Sequence, residues 1–390
     1  MTGVAVGPIL DAKDTPRRAS GLDPFLNEAA ALGASDVHLS ADRVALMRVN
    51  GGLVPLPGHS RELTGEWLEP ALLALMDPSK LAEFAAAGEV DLAYSLPAGQ
   101  RVRVNIFRQC GGIATAMRLV PQYLPSLVNL GIPEAAAELA LRPQGLVLVT
   151  GPSGSGKSTT LAAMIDLVNH KRAGHIVTVE DPIEYLHHSR RCLIHQREIG
   201  RDSQSFASAL RHVLRQDPDV VMIGEMRDSD AIAIALTAAE TGRLVLGTLH
   251  TQGAAKSIDR IIDSFPSGQQ SQVRAQLGET LQGVISQVLL PRRDCSGRVL
   301  ASEVLVHTNA VANLIREGQV PQLQTVMQTS SSLGMHTLDQ SLQSLVRRGL
   351  VDRGLARQYT SDQDALAGVV LGHLSPTGAG WSPAEWKEGV

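Results

Sequence analysis

The sequence predicts an α/β fold, in which a parallel sheet with surrounding helices forms the second half of the chain and a smaller α+β domain precedes it. In the second half, short runs of Val, Leu and Ile alternate with segments of helical periodicity, as in βαβ units around a parallel sheet. A glycine-rich loop joins one of these runs to a helix. The first part mixes short alternating runs with helical stretches and shows no such order.

Composition, charge and cysteine spacing narrow the classes of function. The chain has 390 residues, a net charge of −4 and 3% aromatic residues, whereas nucleic-acid binders are usually basic and often carry aromatic stacking platforms. We therefore expect no nucleic-acid partner. Cys110, Cys192 and Cys295 are too widely spaced for a C-x-x-C pair, which excludes a four-thiolate zinc site or a disulfide framework within the chain.

The chain shows no sign of membrane insertion or secretion. No segment reaches the roughly 18 uncharged apolar residues needed to span a bilayer. The short apolar run near the N-terminus lacks the basic flank of a secretory signal. We expect a cytoplasmic protein whose membrane contact is peripheral and made only through partners.

The first domain is predicted over residues 21–121, after a flexible leader at 1–20. Helical periodicity and alternating apolar runs indicate its elements, and Asn50-Gly51 suits a hairpin turn. Helices are expected at residues 22–32, 66–75 and 81–87, and strands at 36–40, 43–49, 53–56, 90–95 and 101–107.

Proline and glycine interrupt residues 122–133, which we interpret as a linker. The second domain is predicted over 134–355, with helical spacing throughout 311–351, and a flexible tail over 356–390. Its buried strands are expected at residues 146–150, 175–179, 220–224 and 244–248.

The segment from Gly151 to Ser158 reads Gly-Pro-Ser-Gly-Ser-Gly-Lys-Ser and fits the phosphate-loop pattern G-x-x-x-x-G-K-[ST]. A buried strand leads into it and a helix follows, so glycines let main-chain amides point at phosphate oxygens near a helix N-terminus. Lys157 is expected to reach the β- and γ-phosphates of ATP, and Ser158 to hold Mg²⁺. The expected nucleotide contacts are Gly151, Ser153, Gly154, Ser155, Gly156, Lys157, Ser158 and Thr159.

Acidic residues follow two other predicted strands. Glu225 ends the strand at 220–224 and is expected to hold Mg²⁺ or one of its waters. Glu180 opens the cluster Glu180-Asp-Pro-Ile-Glu184, which is either a solvated loop or a catalytic segment. Carboxyl ends of strands carry ligand groups in open α/β sheets, so we predict that Glu180 orients or deprotonates the attacking water.

His250 follows the strand at 244–248 and so belongs to the same predicted edge of the sheet. A lone histidine is often structural. At this edge it is instead predicted to hydrogen-bond the γ-phosphate.

Three segments around these strands carry a family resemblance. Leu214-Arg-Gln-Asp-Pro-Asp-Val-Val-Met-Ile-Gly-Glu-Met-Arg-Asp228 resembles the signature segment of the type II secretion and type IV pilus ATPases. Residues 179–184 and 241–251 resemble the aspartate and histidine boxes of that family. The likeness covers about residues 22–355 and lacks the paired-cysteine zinc segment of the assembly and secretion members, which favours the pilus-retraction branch.

The resemblance implies a RecA-like P-loop ATPase domain, a PAS-like N-terminal domain and a homo-hexamer that hydrolyses MgATP to power twitching motility. ATP would lie between the two domains, where Arg103 and Arg118 would approach it. Without the resemblance, both would be interpreted as exposed strand arginines. The implied partners are an inner-membrane platform protein at the pilus base and a paralogous retraction ATPase, which places the chain at the cytoplasmic face of the inner membrane.

Two departures from the family pattern leave alternatives open. Arg243 stands in Thr241-Gly-Arg243, where the family usually has Gly-His, and Ala312 replaces the first arginine of the retraction-linked segment at residues 310–317. A motor for secretion, conjugation or pilus assembly is the first alternative. A regulator that binds nucleotide without hydrolysis is the second, and Glu180 and Glu225 argue against it.

Overall fold

The computed structural model describes residues 21–49, 52–97, 99–110, 112–120, 124–294, 297–360 and 366. The chain divides into two compact units, residues 1–123 and 124–390. The predicted leader, the Asn50-Gly51 turn, Cys295 and most of the predicted tail lie outside the described residues.

The first unit contains one six-stranded antiparallel sheet with the strand order β3-β2-β1-β6-β5-β4 and three helices. Burial alternates along most of β5 (Arg101–Gln109), where Val102, Val104 and Ile106 face the core of this unit. The helices are α1 (Asp23–Ala31), α2 (Gly65–Leu73) and α3 (Pro78–Ala87). The strands are β1 (Asp36–Ser40), β2 (Leu46–Val49), β3 (Gly52–Pro55), β4 (Glu89–Ser95), β5 (Arg101–Gln109) and β6 (Gly112–Leu119).

Strand β6 has no counterpart among the strands predicted from the sequence, although it lies in the middle of the sheet between β1 and β5. Its residues Gly-Ile-Ala-Thr-Ala-Met-Arg-Leu include few β-branched or aromatic side chains, so local propensity is weak. Pairing with β1 and β5 on both sides determines its conformation.

The second unit is built on a seven-stranded sheet with the order β13-β12-β7-β11-β10-β8-β9, parallel except for the antiparallel β12–β13 pair. This mixed α/β architecture with a parallel sheet is the predicted fold class. The strands are β7 (Gly145–Thr150), β8 (Gly174–Glu180), β9 (Cys192–Glu198), β10 (Val220–Ile223), β11 (Leu244–Leu249), β12 (Leu281–Pro291) and β13 (Arg298–Val306).

The four predicted strands are the four in the middle of this sheet, β7, β11, β10 and β8. They are buried along nearly their whole length, which is why they read as continuous apolar runs. The three strands that the sequence did not indicate flank them. The edge strand β9, with the sequence Cys-Leu-Ile-His-Gln-Arg-Glu, is largely polar in its second half.

Helices pack on this sheet and continue to the end of the described chain. Leu127, within the predicted linker, is buried in the core of the second unit. No helix within the described residues is both long and apolar enough to cross a bilayer. The helices are α4 (Glu134–Ala140), α5 (Lys157–Lys171), α6 (Phe206–Val213), α7 (Ser229–Glu240), α8 (Ala254–Asp263), α9 (Gln270–Thr280), α10 (Asn309–Arg316), α11 (Leu323–Thr329), α12 (Leu338–Arg347) and α13 (Arg353–Arg357).

Candidate active site

The loop between β7 and α5 has a backbone that only glycine permits at its two ends. Gly151 has φ +141°, and a Cβ atom there would lie 2.3 Å from the carbonyl oxygen of Gln287 and 2.6 Å from Ser155 Oγ. Gly156, the residue before α5, is left-handed with φ +90°. The loop therefore turns tightly into the first turn of α5, where the first N–H groups of a helix have no partner within the helix.

Two buried polar groups inside this loop fit a phosphate. The Ser155 side chain is 3% exposed, and its Oγ has no hydrogen-bond partner among the described residues. Lys157 is 9% exposed and its Nζ donates to the carbonyl oxygens of Gly151 and Pro152, at 2.9 and 3.0 Å. An unpartnered hydroxyl and a confined ammonium group in one glycine-rich cradle are donors suited to anionic oxygens.

The remaining expected nucleotide contacts lie on the same loop and helix. Ser153, Gly154 and Ser158 are exposed, and Gly154 is left-handed with φ +77°. Thr159 differs, because its hydroxyl lies 3.0 Å from the hydroxyl of Tyr185. This contact joins the first turn of α5 to the acidic segment that follows β8.

Glu225 is the centre of a charged cluster just beyond the end of β10. Its Oε1 lies 3.0 Å from His250 Nε2 and its Oε2 lies 2.8 Å from Arg227 Nη2. Arg227 Nη1 is also 4.0 Å from a carboxylate oxygen of Asp181. The structure thus joins the predicted Glu225 and His250, and adds Arg227, which lies in the same family segment but was not a predicted site residue.

Glu180 is the last residue of β8 and is 7% exposed. Its Oε1 accepts hydrogen bonds from Thr178 Oγ1 at 2.6 Å and Gln196 Nε2 at 3.1 Å. Burial raises the pKa of this carboxyl group, while these hydrogen bonds and one from the backbone N–H of Glu184 act in the opposite direction. Glu180 is therefore a confined, well-oriented carboxyl group with heightened proton affinity.

Glu184 is the second carboxylate of this segment that bears on the phosphate loop. Burial lowers the pKa of Lys157, and the negative charges of Glu225 and Glu184 oppose that effect. Glu184 is half-buried, whereas Glu180 is almost fully enclosed. The acidic cluster in the sequence already contained Glu184, but nothing in the spacing favoured it over Glu180.

The oxygen ligands needed for Mg²⁺ are present at this edge. Ser158 supplies a hydroxyl and Glu225 a carboxylate, and Mg²⁺ combines one or two such protein ligands with phosphate oxygens and water. Across the described residues, no group of three or more His, Cys, Asp or Glu side chains forms a metal cage.

The two predicted arginines lie in the first unit and are direct neighbours. Arg103 on β5 pairs with Arg118 on β6, and Arg118 pairs with Asp36 on β1. Arg118 Nε donates to Asp36 Oδ1 at 2.9 Å. Their approach to a nucleotide stays a prediction.

The two departures from the family pattern lie away from the phosphate loop. Arg243 precedes β11 at its amino end, whereas His250 follows the carboxyl end, and the Arg243 guanidinium donates to the carbonyl and hydroxyl of Thr241. Ala312 is buried in α10, where its carbonyl lies close to Gly278 of α9.

Comparisons with known proteins agree with this architecture. Residues 12–353 match the family model for type II/IV secretion system proteins. The chain is 46% identical to the type IV pilus retraction ATPase PilT of Pseudomonas aeruginosa, over 85% of this chain and 95% of that protein. It is 47% identical to a twitching motility protein of Neisseria gonorrhoeae, over 83% and 86% of the two chains.

A solved structure gives the same result. The crystal structure of the pilus retraction motor PilT with bound ADP superposes with a TM-score of 0.82 at 42% identity, covering 88% of this chain and 98% of that one. The family predicted from the sequence segments is therefore confirmed. This chain belongs to the type II/IV secretion system protein family.

Proposed function

We propose that this chain is an ATPase that powers the retraction of type IV pili. The observation that carries the ATPase assignment is the phosphate loop, in which the unpartnered Ser155 hydroxyl and the confined Lys157 lie within the influence of Glu225 and Glu184. The retraction assignment follows from the similarity to the retraction ATPase and the twitching motility protein.

The loop and its helix bind the triphosphate in this proposal. Main-chain amides between Gly151 and Gly156 and the Lys157 ammonium group hold the β- and γ-phosphates, with Lys157 moving from the loop carbonyls to phosphate oxygens. Ser158 and Glu225 hold Mg²⁺, which neutralises charge developing on the phosphates when it is bound. His250 hydrogen-bonds both Glu225 and the γ-phosphate, so its hydrogen bonds change when that phosphate is lost.

The acidic segment after β8 handles the attacking water. Glu180, with a pKa raised by burial, orients or deprotonates that water. Glu184 is the competing candidate, because it is more exposed and its charge acts on Lys157. Mutation distinguishes the two candidates, because removing the general base lowers kcat more than removing a carboxylate that takes no proton.

The wider machine follows the family. Six copies form a ring in which Arg103 and Arg118 of a PAS-like domain approach ATP bound to a RecA-like domain, and their guanidinium groups stabilise charge on the transferred phosphoryl group. The ring acts at the cytoplasmic face of the inner membrane on a platform protein at the pilus base, together with a paralogous retraction ATPase.

A steady-state phosphate-release assay tests the chemistry. Wild type is compared with E180Q and E184Q, with binding of a fluorescent ADP analogue measured in parallel. We expect E180Q to lower kcat by about 10²-fold or more, in the range of a lost general base, with nucleotide affinity retained. A larger loss in E184Q than in E180Q transfers the role to Glu184. Wild type that releases no phosphate, alone or with lipid and platform protein, ends the ATPase proposal.

Gene deletion tests the direction of the machine. Cells with excess surface pili that do not retract support retraction, whereas cells without pili indicate assembly. Ala312, in place of the arginine usual in the retraction-linked segment, is the observation that favours the second candidate, a related motor of secretion, conjugation or pilus assembly.

A further inference from the structure

The loop that follows β8 is fastened to two side chains of the edge strand β9. The backbone N–H of Ile183 donates to Glu198 Oε2 at 3.2 Å, and the N–H of His187 donates to Gln196 Oε1 at 2.8 Å. Gln196 Nε2 donates in turn to the carbonyl oxygen of Tyr185 at 2.8 Å. Residues 196 and 198 are two apart on a strand and so share one face. The loop therefore lies along one face of β9, against the side chains of residues 196 and 198.

Gln196 also reaches the buried carboxyl group at the end of β8. Its Nε2 donates to Glu180 Oε1 at 3.1 Å as well as to the Tyr185 carbonyl. The orientation of the amide is determined by its surroundings, because a flipped group would set NH₂ against the His187 N–H and an oxygen against two acceptors. One side chain thus fixes Glu180 and the loop together.

The same loop is tied to the phosphate-binding helix. The hydroxyl of Tyr185 lies 3.0 Å from that of Thr159, which follows Ser158 in the first turn of α5. Glu184 lies between the fastened residues Ile183 and Tyr185, so its backbone is held on both sides. Tyr185 thus links β9, through its backbone carbonyl, to the helix that follows the phosphate loop, through its hydroxyl.

We infer that Gln196 is a positioning residue, which holds Glu180 and the Glu184-bearing loop in place beside the phosphate loop. The inference rests on the proposed ATPase function and extends it to a strand that carries no expected nucleotide contact. Gln196 touches no substrate in this arrangement and acts through Glu180 and Tyr185. Its two donated bonds, rather than its volume, carry the role.

The test compares the same substitution at two glutamines that each donate to a glutamate. Q196E keeps an oxygen for the His187 N–H but loses both donated bonds and sets a carboxylate against Glu180. Q276E makes the same change on α9, where Gln276 Nε2 donates to Glu240 Oε2 at 3.2 Å on the surface. Q196A, which adds no charge, serves as the second variant where Q196E does not fold.

We expect Q196E to lower kcat for ATP at least tenfold, since displacement of reacting groups by about 1 Å can cost 10²-fold in rate. Affinity for a fluorescent ADP analogue should stay within about twofold, because the loop amides and Lys157 are untouched. Amide hydrogen exchange over residues 181–188 should accelerate at least about tenfold, with no change over 145–160. Q276E should match wild type in all three measurements.

Two results would overturn the inference. The first is Q196E, or Q196A, with wild-type kcat and wild-type exchange over 181–188, which leaves the ATPase function standing and removes Gln196 from it. The second is faster exchange throughout the second unit together with equal losses in kcat and affinity, which marks a general structural role. If wild type hydrolyses no ATP, the proposed function fails, and the exchange measurement still decides whether Gln196 fastens the loop.

Discussion

The two units assemble their charged residues by different geometric rules. In the second unit, the phosphate loop, Glu180, Glu225 and His250 lie at the carboxyl ends of four parallel strands, and these ends share one edge of the sheet. Topology alone brings such residues together, whatever the loop sequences are. In the first unit, four charged residues instead lie in one row across the face of an antiparallel sheet. The row consists of Asp36, Arg48, Arg103 and Arg118.

This row crosses four neighbouring strands. Asp36 on β1 pairs with Arg48 on β2 and Arg118 on β6, and Arg118 pairs with Arg103 on β5. Asp36 lies 2.9 Å from Arg118 Nε and 4.0 Å from Arg48 Nε. Like charges directly opposite each other are destabilising, so the contact of Asp36 with Arg118 offsets part of the repulsion between Arg118 and Arg103.

The two arrangements differ in how they respond to amino-acid substitution. A strand-end site depends on loops that can be altered one at a time, whereas a row depends on register, because a slip of one residue turns every side chain to the other face. We therefore expect substitutions at the edge to affect chemistry with little effect on stability. Substitutions in the row should affect stability first.

The largest expected effect is on the edge, at Lys157. K157A removes the ammonium group confined in the phosphate loop, and we expect kcat/KM for ATP to fall at least about 10³-fold, the upper range for loss of one electrostatic donor. Phosphate release and binding of a fluorescent nucleotide are the measurements. The thermal midpoint should stay close to wild type.

K171A is the matched control, since Lys171 is an exposed lysine at the other end of the same helix. It should hydrolyse ATP at the wild-type rate. K157A that still binds and hydrolyses ATP at the normal rate would contradict the assignment of the loop and, with it, the contrast between edge and row.

The next effect concerns the row, at Asp36. Burial of Asp36 raises its pKa, but hydrogen bonds from Ser35 and Arg118 and the charge of Arg118 outweigh burial, so the net shift is downward. D36N should lower the free energy of local opening of β1 and β6 by about 1.5 kcal/mol, the low end of the range for a hydrogen bond to a charged group, because the Arg118 side chain is largely exposed. Native-state hydrogen exchange over residues 36–40 and 112–119 measures it.

The sign of the pH dependence follows from the lowered pKa of Asp36. The stabilisation is complete above the pKa that this aspartate has in the unfolded chain, about 4, and is lost as the pH falls through the lower folded value. The difference between wild type and D36N should therefore shrink below about pH 4. D230N disrupts the exposed pair with Arg211, and it should hardly change the free energy of local opening around that pair. Equal effects of D36N and D230N would refute the role of the row.

The sequence revealed the edge more readily than the row for a physical reason. Fully buried parallel strands read as unbroken apolar runs, and the Gly151–Ser158 loop has a fixed spacing, so the strand ends and their acidic residues follow directly. The pairing of Asp36 with Arg118 needs β6, whose formation depends on its neighbours more than on its own residues.

Gln196 was missed for the same reason as the row. It lies on the polar edge strand β9. Its positioning role depends on hydrogen bonds with a loop whose conformation no local sequence pattern predicts. Arg227 was visible as a residue of the family segment, but only its 2.8 Å contact with Glu225 shows that it belongs to the site.

The smallest expected effect tests whether the edge is as local as its geometry indicates. R243H restores the histidine usual in the family at a residue before β11, roughly 20 Å along the strand from His250. The Arg243 guanidinium donates hydrogen bonds to Thr241, a neighbouring residue at the same end of β11. We expect kcat for ATP to stay within about twofold and stability within about 0.5 kcal/mol of wild type, as for a surface substitution. A change of tenfold or more in kcat would mean that the opposite edge of the sheet takes part in hydrolysis, through contacts that a single copy of the chain does not contain.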